Sequence, residues 1–438
     1  MNLFHIAYIL LGSGIFLMLF PVLWTIGTRS QKGREAFAQR LGYDLPNRDT
    51  AFIKHPRIWI HAVSVGEVQA AETIIHALDA MGMVAAVLLT TTTRTGQNYA
   101  RQRLAKRASI RYAPLDIWNI VGRFLGSYRP DLLICMETEI WPNWLIRAHR
   151  AGIKTAIVNG RISARSIQHY EKIRPLLKPV LETVSCFSMI TRTDAERICR
   201  LGAPKRLIFV NGNVKFDALN MRSPDDTVHI LERMLALDER SLVWVGGSVR
   251  GDEFDLLMDV YQRLSRHVPE LVFIIAPRHI EKAPRIADIA RKKGVQWQYR
   301  TDLGPGKERR HAPVIILDTI GELRHIYALA SVVFCGGSLV PLGGQNVLEA
   351  AIQAKPVLFG PHMEDFTEEK KLLETFGGGL CVKDAKALEE KALDLLIHPE
   401  KAVRTGRLAR KAVLSQRGAA SRHARIIRNL LAHGRWST

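Results

Sequence analysis

Paired cysteines are missing from this chain. Its five cysteines, at positions 135, 186, 199, 335 and 381, include no C-x-x-C pair. Neither a disulfide frame nor a zinc site is expected, and the thiols read as reduced, buried residues of a cytoplasmic protein. No Asp-x-Asp pair is present to hold a divalent cation on a nucleotide diphosphate, and no two histidines stand four apart. Metal chemistry of either kind is therefore not expected. The absence of a G-x-S-x-G elbow argues against a serine hydrolase. Low-complexity segments and short-period repeats are also lacking, and no nucleic-acid-binding motif is visible.

What is plentiful is positive charge. Against 42 Asp and Glu stand 62 Lys and Arg, a net charge of +20. Apolar residues (47%) and charged residues (24%) are otherwise in ordinary globular proportion. Such a surface attracts polyanions. Because the cations are scattered and not gathered into tails, an anionic membrane surface and an acidic substrate are the expected partners, with no nucleic acid. A chain of 438 residues is long for one core, so two domains and an appendage are expected.

The 24 residues from Leu3 to Ile26 contain no Asp, Glu, Lys or Arg. As a helix rising ~1.5 Å per residue they reach ~36 Å, enough to cross a ~30 Å hydrocarbon layer. Pro21 is placed to kink the helix near its end. Arg29, Lys32, Arg34 and Arg40 follow, and no charge precedes, so a single-pass anchor with everything downstream in the cytoplasm is expected. A cleaved signal peptide fits less well, for want of a basic leading region and a small-residue cleavage site.

Downstream, short β-branched runs alternate with helical segments. Ile58 to Val63, Val84 to Leu89, Asp131 to Met136, Lys154 to Val158 and Cys186 to Ile190 read as strands of one sheet. Leu242 to Val245, Leu271 to Ala276, Val314 to Leu317, Val332 to Cys335 and Pro356 to Phe359 read as strands of a second. This alternation predicts two doubly wound parallel α/β sheets. The expected division is an anchor at 1–27, a first Rossmann-like domain at 28–222 and a second at 223–398. A basic helical tail, 399–438, with Arg404, Arg407, Arg410 and Lys411, is expected to pack back on the first domain.

Open α/β sheets bind ligands beyond the carboxyl ends of their strands, and the distinctive residues fall there. After the strand at Val332 come Gly336, Gly337, Gly343 and Gly344, which leave a loop open to close approach by a ligand. Asn346 then stands where a helix should start, with Glu349 in its first turn. A helix start suits a phosphate; the carboxylate would repel one unless it bonds ribose hydroxyls. This reads as a nucleotide site, although the stretch is neither a dinucleotide fingerprint nor a Walker loop, and a plain surface loop is the alternative.

Ser64-Val65-Gly66-Glu67 follows the first strand. Glu67 there is either a base for an attacking hydroxyl or an acid favoured by a helix dipole. Glu137 and Glu139, ending the Asp131 strand beside Trp141, are either substrate-orienting acids or solvated turn residues. Lys215 is placed to meet an anionic group, and Arg278, after Pro277, to make bidentate contact with phosphate or carboxylate. Around Gly321, between Ile320 and Glu322, backbone groups are placed to hold a base or ribose.

The motifs HAVSVGE, METEIWPN, NGRISARS, NVKFD, APRH, DTIGEL and GGSLVPLGGQNVLEAA stand in this order. In this the chain resembles the 3-deoxy-D-manno-octulosonic acid (Kdo) transferases of lipopolysaccharide biosynthesis, from its anchor to about residue 420. The resemblance implies a GT-B glycosyltransferase, two facing Rossmann-like domains with the active site between them. It also implies an inverting, metal-independent transfer of Kdo from CMP-Kdo to a lipid A precursor at the cytoplasmic face of the inner membrane. No cofactor is implied beyond that donor substrate. Carried over motif by motif, Glu67 is the base, and Glu137 and Lys215 stabilise the transition state. Pro277, Arg278, Ile320, Gly321, Glu322 and the turn Asn346, Val347, Leu348, Glu349 hold CMP. Asn213 and Ile320 depart from the residues relatives commonly carry, Ser and Met, without removing a charge. A GT-B enzyme using a UDP-sugar, a sugar-nucleotide epimerase and a membrane-tethered basic binding protein are the competing expectations.

Overall fold

In the computed structural model, residues 3–27, 29–43, 56–219, 225–238, 240–304 and 306–432 are described. The expected boundary between residues 222 and 223 and the end of the tail lie outside them. Two compact units form. One is 1–218 together with 417–438, and the other is 219–416.

The first unit holds seven parallel strands: β1 (Arg57–His61), β2 (Ala86–Thr91), β3 (Ala108–Tyr112), β4 (Leu132–Met136), β5 (Lys154–Gly160), β6 (Cys186–Met189) and β7 (Ile208–Val210). Their order is β3-β2-β1-β4-β5-β6-β7. The chain winds outward from β1, returns, and winds outward the other way from β4, so the order reverses between β1 and β4. Alternation along each strand feeds two cores. Ile58, Ile60, Leu132 and Ile134 point into one, with Val68, Ala71 and Ile75 of the helix Val65–Ala80. Trp59, Leu133 and Cys135 point into the other, with Phe124, Trp144 and Phe187.

The second unit repeats the plan with β8 (Val243–Val249), β9 (Val272–Pro277), β10 (Trp297–Tyr299), β11 (Val314–Ile316), β12 (Val332–Cys335), β13 (Val357–Phe359) and β14 (Gly379–Cys381). The order is β10-β11-β9-β8-β12-β13-β14, all parallel. Here the reversal falls between β8 and β12. Trp244, Phe273, Ile275 and Phe334 fill one face of this sheet with Phe254 and Leu257.

β3, β7, β10 and β14 were not among the strands expected from sequence. They are the four sheet edges. Edge strands are covered on fewer sides; β7, for instance, is apolar but only three residues long and has no fully buried residue. The tail divides at residues 416–418. The helix Pro399–Ser415 packs on Thr367–Phe376 and Leu348–Ile352 in the second unit, while Ala419–Ala432 packs on Val65–Ala80 in the first.

Candidate active site

In the first unit the helix Val65–Ala80 starts where β1 ends, with Ser64 extended at its N-cap (φ −116°). Glu67 sits in its first turn, and its carboxylate folds back on that turn. The Val63 N–H donates to Oε2 at 2.9 Å and the Ser64 hydroxyl to Oε1 at 3.0 Å. Glu67 thus does cap its own helix, much as a capping box does. It is nonetheless only 8% exposed. Burial raises its pKa in spite of the two bonds.

Glu137 follows β4 in a left-handed conformation, φ 53°. A non-glycine residue holds this only where its surroundings enforce it, and such strain gathers at functional sites. Its N–H is fixed by the Val158 carbonyl at 2.9 Å. Asn159, at the end of β5, has the same conformation (φ 56°), and its Oδ1 accepts from the Val214 N–H at 3.0 Å. That bond draws the Lys215 segment to the end of the sheet. Burial and then Glu67 raise the pKa of Glu137, while Arg161 and Lys215 oppose the shift. Glu139 is pushed up to about 7 by burial and then Glu67, with Glu137 adding and a 2.9 Å bond from Trp141 Nε1 opposing. Glu67, Glu137 and Glu139 therefore share one acidic cluster answered by Arg161 and Lys215. Carboxylates so close do not ionise independently, and the cluster can hold or accept a proton near neutral pH.

Lys215 opens the short helix Lys215–Ala218 and lies 5.3 Å from the Phe216 ring centre. The returning tail fastens this segment. Asp217 accepts from the N–H groups of Gly418 (2.7 Å) and Ala420 (2.8 Å). His423, fully buried, contacts Ser188 Oγ at 2.7 Å and the Gly212 carbonyl at 3.0 Å. Burial pushes its pKa down to about 4. The ring is therefore neutral at pH 7, with Nε2–H donating to the carbonyl and Nδ1 accepting from the hydroxyl. His61, the histidine of the HAVSVGE motif, is buried under Trp141 and Trp144 with its pKa pushed down to about 3. It is a core residue.

In the second unit Pro277 ends β9, and Arg278 beyond it is exposed, its N–H held by the Val249 carbonyl at 3.0 Å. The helix expected to begin at Asn346 is short, Leu348–Ile352. Asn346 organises its start, with Oδ1 accepting from the Leu348 N–H (3.0 Å) and Nδ2 donating to Glu349 Oε1 (3.1 Å). The pKa of Glu349 is raised by burial, against the pull of Asn346, Arg324 and Arg278. These four polar residues therefore form one group. Val347 and Leu348 are buried, so they offer a ligand only backbone atoms. Ile320 is 85% exposed, and Gly321 beside it has φ +89°. Glu322 is otherwise engaged: Thr319 Oγ1 donates to Oε2 at 2.6 Å and the buried Arg300 to Oε1 at 3.0 Å.

The glycine loop corrects the sequence reading. A side chain on Gly336 would collide with the backbone of Val249, and side chains on Gly343 and Gly344 would meet Asp365 and Met363. These glycines make room for the protein's own chain. The loop amides are occupied as well. Glu253, fully buried at the switch point, accepts from the N–H groups of Gly337 (2.5 Å), Ser338 (2.9 Å), Leu339 (2.9 Å) and Arg250 (3.2 Å). Sequence reasoning missed Glu253, which looks like one more acid in a helix's first turn. It also passed over Arg161, although that arginine directly follows the end of β5, and Arg324.

Residues 35–218 match the family model described as 3-deoxy-D-manno-octulosonic-acid transferase (kdotransferase). The 3-deoxy-D-manno-octulosonic acid transferase of Haemophilus influenzae is 30% identical over 91% of this chain and 92% of its own. That of Bordetella pertussis is 29% identical over 95% and 97%. Among solved structures, UDP-GlcNAc 2-epimerase from Neisseria meningitidis, bound to UDP-GlcNAc, aligns with a TM-score of 0.58 over 86% of this chain and 99% of its own. At 13% identity that likeness speaks for the fold alone.

Proposed function

Because this chain belongs to the 3-deoxy-D-manno-octulosonic acid transferase family of lipopolysaccharide biosynthesis, we propose that it moves Kdo from CMP-Kdo to a lipid A precursor by inverting displacement, with Glu67 as the base. One observation carries the reading. A buried acid of raised pKa sits at the switch point of the first sheet, in a cluster with Glu137 and Glu139.

Glu67 takes the proton of a sugar hydroxyl on the acceptor as that oxygen forms its bond to the anomeric carbon of Kdo. The bond from that carbon to the phosphate oxygen breaks, and CMP departs with the electron pair. Inversion needs this one displacement and no covalent enzyme intermediate. Glu137 and Lys215 steady the charge that shifts during it. In the second unit Arg278 meets the phosphate, while Asn346 and Glu349 bond the ribose hydroxyls. Pro277, Ile320 and Gly321 flank the nucleotide, and the Val347–Leu348 backbone and Glu322 hold the loops that border it. A single leaving phosphate balanced by these cations needs no divalent metal. The N-terminal helix keeps the enzyme at the cytoplasmic side of the inner membrane, where a phosphorylated glycolipid attracts its net positive charge.

The test is Glu67→Gln, which preserves an acceptor for the Val63 N–H. Transfer from CMP-Kdo to a tetraacyl lipid A precursor should fall by at least ~10³-fold, as expected for loss of a general base, with CMP affinity unchanged. Turnover at a comparable rate would remove Glu67 from the role. A panel of UDP-sugars beside CMP-Kdo tests the donor.

A further inference from the structure

The helix Leu3–Gly27 takes no part in this chemistry, yet it is built into the first unit. His5, Ile9, Ser13, Phe16 and Phe20 recur every three or four residues, and all are buried or half-buried. That spacing is one side of a helix; His5 on it is buried and the other four are half-buried. The covering groups belong to the same unit. His5 Nε2 pairs with Asn143 Oδ1 at 3.2 Å, its ring packs edge-on against Trp118, and the Tyr8 hydroxyl donates to Asp116 Oδ2 at 2.8 Å. At the other end Phe20 and Trp24 close on Phe37 of the helix Gln31–Leu41. The rest of the helix surface, flanks included, is bare and apolar: Leu10 is 67% exposed, Leu17 70% and Met18 79%, with Leu11 and Val22 beside them.

A helix that crosses a bilayer places its first turn ~30 Å from the side on which its last turn emerges. Here both ends are held by one unit, and two helices that touch the N-terminal helix carry charge. Arg34 on Gln31–Leu41, and Arg174 and Lys178 on Arg174–Leu181, are exposed, as is Arg29 between. We propose that the N-terminal helix does not cross the bilayer but lies along the cytoplasmic leaflet. Its outer face sits among the acyl chains, and the neighbouring cations sit on anionic phospholipid headgroups. Trp24, half exposed at the end of the helix, suits the headgroup level. The choice of lipid as occupant rests on the glycolipid acceptor of the preceding section; the geometry does not, and its test uses no transfer assay.

The full-length chain is given an N-terminal epitope tag, and spheroplasts are treated with protease from outside. The tag should survive until the cells are lysed; cleavage in intact spheroplasts would overturn the proposal. In a Cys199→Ser, Cys381→Ser background, a fluorophore is placed at Leu10→Cys or Leu17→Cys, and the protein is bound to phosphatidylethanolamine–phosphatidylglycerol vesicles. Shallow lipid quenchers should act more strongly than deep ones at both sites; the reverse order would show the helix crossing. Absence of quenching, with cross-linking between copies through Met18→Cys, would show a second copy on this face and also overturn it. Vesicle affinity should drop at least tenfold in Leu10→Asp/Leu17→Asp and on pure phosphatidylcholine; equal binding to both lipids would overturn the headgroup contact.

Discussion

Replacing Glu253 with alanine should loosen the second unit at its switch point. The carboxylate is fully buried and receives four backbone N–H groups, three of them from the glycine loop. Deleting it orphans all four. An orphaned buried donor costs about 1–3 kcal/mol, but four on one acceptor do not add independently. A loss near the cost of one or two orphaned donors, about 3 kcal/mol, is the better guide. In a unit of about 200 residues, 219–416, each kcal/mol lowers the melting temperature by about 2–4 °C, so a drop of ~10 °C is expected. Thermal melts of the full chain, with hydrogen exchange read on peptides covering β8, β12 and residues 336–339, measure both the size and the place of the effect. Formate, small enough to refill the space, should restore part of the protection. Should Glu253→Ala melt within ~2 °C of the parent, with its loop amides still protected, the carboxylate is not their partner. Tighter binding of CMP would show instead that those amides serve a phosphate.

Glu137→Gly should relieve the left-handed backbone (φ 53°) and raise stability by about 1 kcal/mol, read by urea denaturation, while transfer is lost. Glu139→Gln tests the acidic cluster. Because the folded pKa of Glu139 is raised from 4.5 to about 7, the parent loses stability as pH rises through that interval. The variant should match the parent at pH 4 and exceed it at pH 8 by ~1 kcal/mol, a figure reduced for solvent screening of a partly exposed group; identical pH–stability curves would refute the coupling. Asp217→Asn weakens the clasp between the tail and the Lys215 segment. It should cost about 1–2 kcal/mol in urea and lower kcat, whereas a stability loss with kcat unchanged would make the clasp purely structural.

How far sequence reasoning reached can be seen strand by strand. Every interior strand shows itself as a run of apolar, often β-branched residues, because a strand covered on both faces and paired on both edges tolerates little else. That alone set the two parallel sheets and placed Glu67, Glu137 and Arg278 at strand ends, with Asn346 at a helix start beyond one. The edge strands β3, β10 and β14 carry no such run, because half their surroundings are solvent or loop, and β7, although apolar, is only three residues long.

What only tertiary structure decided is how each polar group is spent. Glu67, Glu253 and Glu322 all look alike along the chain, as acids at the start of a helix. In the folded protein Glu253 fills a nest of loop amides and Glu322 pairs with Arg300 and Thr319. Glu67 caps its own helix and also joins two other carboxylates. An apolar run likewise fixes that the first 27 residues seek a nonpolar medium. Which side of that helix is covered depends on Asp116, Asn143 and Phe37. These residues lie up to 138 positions away along the chain. Local sequence encodes period and burial, whereas the pairing of charges and hydrogen-bond donors is settled by neighbours that only the completed fold brings within hydrogen-bond reach.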